Sequence, residues 1–135
     1  RGGWGAWGGR MSRRRLFVPG VLPGLNEYSD AERRNRYQGA RIKREWTETV
    51  AWLAREMEPL AGPVHVRCRW IAPNRRRDPD NVAAAIKYVL DGLVAGGLLP
   101  GDGWRYIRSI SHTFEVDGEA PGVEIILQED EEVAA

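Results

Sequence analysis

The sequence predicts a small α/β domain in which a mixed sheet packs against two helices, with the elements in the order β-α-β-α-β-β. Its 135 residues are enough for one domain with one hydrophobic core. Two long segments carry apolar residues at helical spacing, and four short segments have the composition or the alternation of strands. Strands interleaved with helices indicate an α/β protein, although the sequence leaves the order of the strands within the sheet open.

The composition is that of a soluble globular protein, with 42% hydrophobic and 29% charged residues. No segment reaches the length of about 18 apolar residues that a membrane span requires, and the first ten residues lack the apolar stretch of a signal peptide. Cys68 is the only cysteine, which excludes an intramolecular disulfide. We therefore expect a cytoplasmic protein without a membrane partner.

The two ends of the chain differ from its body. Residues 1–15 are rich in glycine and arginine and are expected to form a flexible leader, while residues 129–135 are expected to form a disordered acidic tail. The globular domain then spans residues 16–128. Residues 1–128 contain 20 basic and 15 acidic residues, a net charge of +5, against +1 for the whole chain. A basic body indicates a polyanionic partner.

The first half of the domain predicts a strand, a loop and one long helix. Leu16–Val18 begin the strand, and the prolines and glycines after it predict the loop. Ser29 and Glu32 form a capping box, so we expect the helix to run from about Asp30 to Glu58. Its buried stripe comprises Ile42, Trp46, Thr49, Val50, Leu53 and Met57. The opposite face is basic, which fits either a solvated surface or a phosphate-binding surface that includes Arg41 and Arg44.

The second half predicts a strand, a helix and a hairpin. The strand covers Val64–Ile71 and buries Val64, Val66, Cys68 and Trp70. A helix over Pro79–Ala95 follows. Alternation then predicts a hairpin of Trp104–Val116 and Val123–Leu127, whose buried face includes Tyr106, Ile110, Phe114 and Val116. We interpret the two histidines, His65 and His112, as structural.

The closest grouping of candidate functional residues lies in Asn74–Asn81, which joins the second strand to its helix. Pro79 suits the first helical position, which makes Asp78 the N-cap and Asp80 the second helical residue. Capping alone accounts for both acids, but it does not account for three arginines directly ahead of them and an asparagine directly behind. Asp80, Lys87 and Asp91 share one stripe of the helix, and Lys87 can either pair with Asp91 or lean back toward the two acids.

Three carboxylates at the ends of elements are candidates for a metal site: Asp78, Asp80 and Asp102, the last in a glycine-rich turn. Oxygen ligands select hard cations, so we expect Mg²⁺, with Mn²⁺ able to substitute. Such an ion polarises a phosphoryl oxygen and activates water. The pattern thus predicts metal-assisted hydrolysis of a phosphodiester, with charge on the phosphate stabilised by Lys87 and the arginines at 75–77.

These residues together resemble a known family. The resemblance lies in the ordered set of Pro23-Gly24-Leu25-Asn26, then Asp78-Pro79-Asp80-Asn81, then Lys87 with Asp91-Gly92-Leu93, then Leu98-Leu99-Pro100-Gly101-Asp102. This set is similar to that of the RusA-type Holliday junction resolvases, and the similarity covers about residues 16 to 127. It implies a RusA-like nuclease domain over residues 16–128.

The resemblance implies a Mg²⁺-dependent endodeoxyribonuclease, often encoded by phages or prophages, that acts as a homodimer. Such an enzyme makes paired symmetric nicks in four-way junctions during DNA recombination and repair. The family's catalytic residues carry over to Asp78, Asp80, Asp102, Lys87 and Asp91. Two departures stand out: Lys87 follows Asn81 by six positions where the family has three, and Gly101 stands where the family has a second acid.

Eight side chains are candidate DNA contacts: Arg41, Arg44, Arg67, Arg69, Arg75, Arg76, Arg77 and Asn81. Trp52 lies off the buried stripe of the first helix and is a candidate dimer contact. Two alternatives to a junction resolvase stay open at this point. One is a metal-dependent nuclease that acts on other branched DNA or on RNA, and the other is a non-catalytic nucleic-acid-binding module.

Overall fold

A computed structural model describes residues 12–130, which form four strands and four helices. In chain order they are β1 (Arg13–Pro19), α1 (Leu25–Arg34), α2 (Arg36–Ala54), β2 (Val64–Ala72), α3 (Pro79–Ala83), α4 (Ile86–Ala95), β3 (Ile107–Val116) and β4 (Gly122–Glu129). The predicted leader up to residue 11 and the acidic tail from residue 131 lie outside the described residues. Arg13–Arg15, expected in the leader, lie in β1, and Glu129, expected in the tail, lies in β4.

The predicted mixed α/β sheet is confirmed, with the strand order β1-β4-β2-β3. The pairing of β3 with β2 is parallel, and β4 pairs antiparallel with both β1 and β2. The predicted hairpin is therefore wrong, because β2 lies between the two strands that it would join. The physical reason is the connection through α3 and α4, which returns the chain to the starting end of β2 and makes β3 its parallel neighbour.

The burial of the last two strands also differs from the prediction. β4 is buried along almost its whole length, since it lies between two other strands. β3 is an edge strand, and three side chains expected in the core are 41–46% exposed: Ile110, Phe114 and Val116. Alternation marks the faces of a strand, but it does not tell whether a helix covers either face.

The predicted long helix is two helices. Asn35 separates them because its backbone is extended, and its Oδ1 accepts a hydrogen bond from the N–H of Tyr37 at 2.7 Å, which caps α2. The first helix begins at Leu25 rather than near Asp30, so the predicted capping residue Ser29 lies inside α1. Glu27 takes the capping role instead, since its Oε1 accepts from Gly24 N at 2.7 Å.

The helices cover one face of the sheet, which we call the inner face. Its buried side chains include Leu16, Val66, Trp70 and Ile125, and they pack on α2 and α4. Gly92 allows α2 and α4 to approach closely, because a Cβ at this position would overlap the side chain of Val50. The other face, the outer face, has no helix over it among residues 12–130 and carries mainly polar side chains.

The predicted helix over Pro79–Ala95 is also interrupted. α3 ends at Ala83, a turn at Ala84 and Ala85 follows, and α4 begins at Ile86. This turn lies between Asn81 and Lys87, the interval that is three positions longer here than in the family that the sequence resembles. It separates the acids at the start of α3 from Lys87 in the first turn of α4.

Candidate functional site

The segment that carries Asp78 and Asp80 is anchored to α1. Arg77 donates from Nη1 to the carbonyl oxygen of Leu22 and to Glu27 Oε1, both at 3.0 Å. Asn81 is buried; its Oδ1 accepts from Asn26 N at 2.8 Å and its Nδ2 donates to Glu27 Oε2 at 3.4 Å. Arg77 and Asn81, both expected at the DNA, thus position the acids that lie between them.

Glu27 is the common partner of this anchor. Burial raises its pKa, but the hydrogen bonds from Gly24, Arg77 and Asn81 outweigh that effect and lower the pKa below its usual 4.5. The approach of α1 to α3 is close, because a Cβ at Gly24 would overlap the backbone and side chain of Asn81. Glu27 was not predicted from the sequence, where its signal is the spacing of three residues from Gly24.

Asp78 occupies the N-cap position of α3, as predicted, but its carboxylate does not cap the helix. Within residues 12–130 that carboxylate makes no hydrogen bond or ion pair, and its side chain is exposed at the edge of a cleft. The carboxylate of Asp80 is also exposed, and within residues 12–130 its Oδ1 accepts from the adjacent Asn81 N at 2.9 Å, a first-turn N–H of α3. The Asp78 carboxylate is therefore not used in helix capping, and Asp80 satisfies one N–H while its other oxygen stays exposed.

Lys87 contacts two acids, Asp91 one helical turn later on α4 and Asp102 in the turn that follows the helix. Its Nζ lies 3.0 Å from Asp91 Oδ1 and 3.7 Å from Asp102 Oδ2. The hydrogen bond to Asp91, together with the charges of both carboxylates, raises the pKa of Lys87 above its usual 10.5. The structure thus brings Lys87, Asp91 and Asp102 together, and Lys87 points to this pair rather than back to the acids of α3.

Asp78, Asp80 and Asp102 do not form a preorganised metal site in the described part of the chain. Among residues 12–130, no three His, Cys, Asp or Glu side chains are placed to hold a metal ion. The kind of donor nevertheless fits a hard divalent cation, because all three predicted ligands are carboxylates. Asp78 and Asp80 are exposed and make no ion pair within the described residues, and the Asp102 side chain is 35% exposed. All three side chains are therefore accessible to an ion.

A cavity of about 260 Å³ opens beside Lys87, between α1, α2 and α4. Lys43 contributes a second ammonium group, and Tyr28 and Tyr88 line the wall. Burial raises the pKa of Tyr88 to about 12, so its hydroxyl stays protonated at neutral pH. Lys43 was not predicted, because nothing in the sequence indicates that α2 passes this end of α4.

The remaining predicted DNA contacts fall into two groups. Arg75, Arg76 and Arg44 are exposed and make no ion pair within residues 12–130. Arg69 is bound by Glu115 at 2.7 Å and by Glu124 at 3.0 Å on the outer face, and Arg41 lies 3.6 Å from Glu45. Arg67 is exposed on the same outer face. Arg75, Arg76 and Arg44 are thus available for phosphate contacts, and the first two lie close to Asp78 in the sequence.

The histidines both have polar partners. His65 Nδ1 lies 2.7 Å from Ser109 Oγ and its Nε2 lies 3.3 Å from Asp130 Oδ1, while Asp130 Oδ2 accepts from Arg108 Nε at 2.7 Å. His112 Nδ1 accepts from Trp70 Nε1 at 2.8 Å. These contacts link neighbouring strands and agree with the structural interpretation of both residues.

Comparison with known proteins adds no assignment. The chain matches no model of a known protein family, and a search among curated proteins finds no match either. Among the described residues, no helix combines the length and apolar character that a membrane span demands.

Proposed function

We propose that the chain is a Mg²⁺-dependent endodeoxyribonuclease of the RusA type that cuts branched DNA, with the four-way junction as its substrate. The observation that carries the proposal is the position of Lys87 between Asp91 and Asp102, 3.0 and 3.7 Å from their oxygens. Asp91 and Asp102, which are 11 positions apart in the sequence, thus lie at one ammonium group, and the resemblance makes all three residues candidates for catalysis.

The acids of α3 support the same proposal. Asp78 stands at an N-cap without capping, although a side-chain cap stabilises a helix by roughly 0.5–2 kcal/mol. Arg77 and Asn81 hold the segment against α1 with four hydrogen bonds that the flanking residues supply. An anchored segment that presents two exposed carboxylates, neither in an ion pair within the described residues, supports a role in ligand binding.

Asp78, Asp80 and Asp102 would hold the divalent ion. When bound, it supplies polarisation of a phosphoryl oxygen and activation of water. Lys87 is protonated at neutral pH, as any lysine with the usual pKa of 10.5 is, and the hydrogen bond to Asp91 raises its pKa further, so it would act as a cation that stabilises negative charge on the phosphate rather than as a base. Asp91 orients the ammonium group of Lys87 through their 3.0 Å contact.

The exposed arginines supply phosphate contacts outside the centre. Arg75 and Arg76 lie three and two positions before Asp78, and Arg44 lies on α2. Each contact releases counterions, so binding weakens steeply as the salt concentration rises. A homodimer suits a four-way junction, since a two-fold axis relates two cuts in strands of like polarity. Trp52, which is 62% exposed on α2, is our candidate for the contact between subunits.

The proposal is tested by Asp80→Asn on a synthetic four-way junction. We expect at least about a 100-fold loss of Mg²⁺-dependent cleavage, because an ion-stabilised phosphate is worth several kcal/mol in the transition state. Junction binding in Ca²⁺ should stay intact. Asp30→Asn is the matched control, since Asp30 is an exposed acid whose contact is a 3.5 Å pair with Arg33 on α1. Cleavage by Asp80→Asn at the wild-type rate would refute a metal-dependent nuclease.

One observation favours a second candidate, a nucleic-acid-binding module without catalysis. The described residues contain no group of three metal-ligating side chains. That candidate predicts binding of branched DNA with no cleavage in Mg²⁺ or Mn²⁺ at any enzyme concentration. Nicking of a mobile junction, a flap and a linear duplex is then compared. A resolvase gives paired nicks in the junction alone, whereas a nuclease with a different substrate also cuts the flap or the duplex.

A further inference from the structure

A second cleft opens at the carboxyl ends of the parallel strands β2 and β3, and we name it the Phe114 cleft. Its volume is about 320 Å³, and it is lined by Trp70 and Phe114 from the sheet and by Asp78, Pro79 and Val82 from the start of α3. Ligands of open α/β sheets bind outside the carboxyl ends of the strands. The volume lies at the lower end of small-molecule sites, so the cleft accepts one ring system and not a duplex.

The aromatic wall of the cleft is held rigidly. Trp70 donates from Nε1 to His112 Nδ1 at 2.8 Å, and burial lowers the pKa of His112, which keeps it neutral and able to accept. The His112 ring is stacked with Trp70 at 6.1 Å and with Phe114 at 6.4 Å between centroids, both at 21°. Phe114 is 44% exposed. The cleft therefore presents a preformed aromatic surface to solvent.

The charges around the cleft suit a nucleotide. Arg75 lines it and makes no ion pair within the described residues. Glu115 also lines it, but its carboxylate is paired with Arg69 at 2.7 Å. Arg77 is held by α1. The cleft thus combines an exposed guanidinium group with an aromatic surface, which are the two groups that bind single-stranded nucleic acid.

We infer that the Phe114 cleft binds one unpaired nucleobase of the DNA strand whose backbone passes Asp78. The base stacks on Phe114, and Arg75 contacts the phosphate beside it. This inference rests on the proposed function and adds a requirement to it, namely a nucleotide that has left the duplex at the branch point. Because every base has an aromatic face, the cleft selects for an unpaired base and not for a sequence.

Binding by Phe114→Ala tests the inference. The DNA is a four-way junction with one unpaired thymine at the crossover, and the buffer contains Ca²⁺ instead of Mg²⁺. We expect roughly a 10-fold loss of affinity for this junction and no change for a linear duplex, since the substitution removes one base stack. Phe114→Tyr should bind like the wild type. The control is Phe17→Ala, because Phe17 is 40% exposed and lies on the outer face of the opposite edge strand.

A photo-cross-link locates the base directly. 5-Iodouracil replaces the unpaired thymine, and peptide mass spectrometry identifies the linked residue. A link to Phe114 or Trp70 supports the inference. A link elsewhere overturns it, as does equal affinity of Phe114→Ala and Phe17→Ala. Conversion of a dimer to a monomer by Phe114→Ala in sedimentation also overturns it, because the cleft would then be a subunit interface.

The failure of this inference and the failure of the proposed function are distinguishable. If the wild type cleaves the junction in Mg²⁺ while Phe114→Ala binds it equally well, the inference alone fails. If the wild type neither binds nor cleaves the junction, both fail. Circular dichroism of Phe114→Ala, with Phe114→Tyr as the conservative variant, establishes that a loss of affinity is not a loss of fold.

Discussion

Two charged regions of the molecule differ in how their charges are balanced. On the outer face, Arg15, Glu124, Arg69 and Glu115 form a chain of alternating sign in which each carboxylate meets an arginine. At the candidate active site, one ammonium group serves both Asp91 and Asp102, while Asp78 and Asp80 make no ion pair among the described residues. Charges that folding neutralises stabilise the fold. The exposed acids Asp78 and Asp80 are candidates for ligand binding, and we propose a divalent cation as that ligand.

Substitutions of acids in the two regions should have opposite effects on junction cleavage and on the free energy of unfolding. Asp102→Asn should lower Mg²⁺-dependent junction cleavage by at least about 100-fold, because it removes a carboxylate from the proposed metal site. Its free energy of unfolding should change by no more than about 1 kcal/mol, since the substitution weakens only a partly exposed 3.7 Å ion pair with Lys87. Single-turnover cleavage and urea unfolding measure the two quantities. A large loss of stability with unchanged cleavage would reverse our assignment of Asp102.

Substitution of a buried acid on the outer face should lower the stability and leave cleavage almost unchanged. Glu124 is 8% exposed and accepts from Arg69 Nε at 3.0 Å and from Arg15 Nε. We expect Glu124→Gln to lower the free energy of unfolding by about 1–3 kcal/mol, because two arginines lose a charged acceptor. Cleavage at a temperature where the variant is folded should stay within about twofold of the wild type. Glu115→Gln is the control, since the Glu115 side chain is 48% exposed and its replacement should destabilise the fold less.

A smaller effect follows from the pKa of Glu124. Burial raises it, but the hydrogen bonds and charges of Arg69 and Arg15 outweigh burial and lower it below 4.5. A carboxyl group with a lowered pKa in the folded state stabilises the protein above its unfolded pKa, and that contribution is lost as the pH falls. The free energy of unfolding of the wild type should therefore decrease as the pH is lowered from about 4.5. Glu124→Gln should show a shallower decline over the same range, and parallel curves would contradict this account.

Much of the fold follows from local signals in the sequence. The alternation in Val64–Ile71 predicted both faces of β2, which extends to Ala72, and Pro79 predicted the start of α3. The pairing of β3 with β2 was not predictable from alternation, because strand order depends on which connections bring segments together. The break at Asn35 was missed because the apolar stripe continues on α2, while the break itself depends on one backbone conformation.

The candidate site was predicted in part. The types and order of Asp78, Asp80, Lys87, Asp91 and Asp102 indicated the chemistry, and the structure brings the last three together. The partners of Arg77 and Asn81 could not be predicted, since both residues contact α1 at separations of 50 and 55 residues in the chain. The Phe114 cleft could not be predicted either, because it forms only when β3 lies beside β2.

The central claim is that Asp78, Asp80 and Asp102 bind one hard divalent cation. Crystals grown with Mn²⁺ test this most directly, through anomalous diffraction at the manganese edge. Our account predicts a peak within about 2.0–2.3 Å of carboxylate oxygens of these residues, the distance at which such ions are coordinated. An occupied site elsewhere, or saturating Mn²⁺ with no peak beside these three carboxylates, would contradict it.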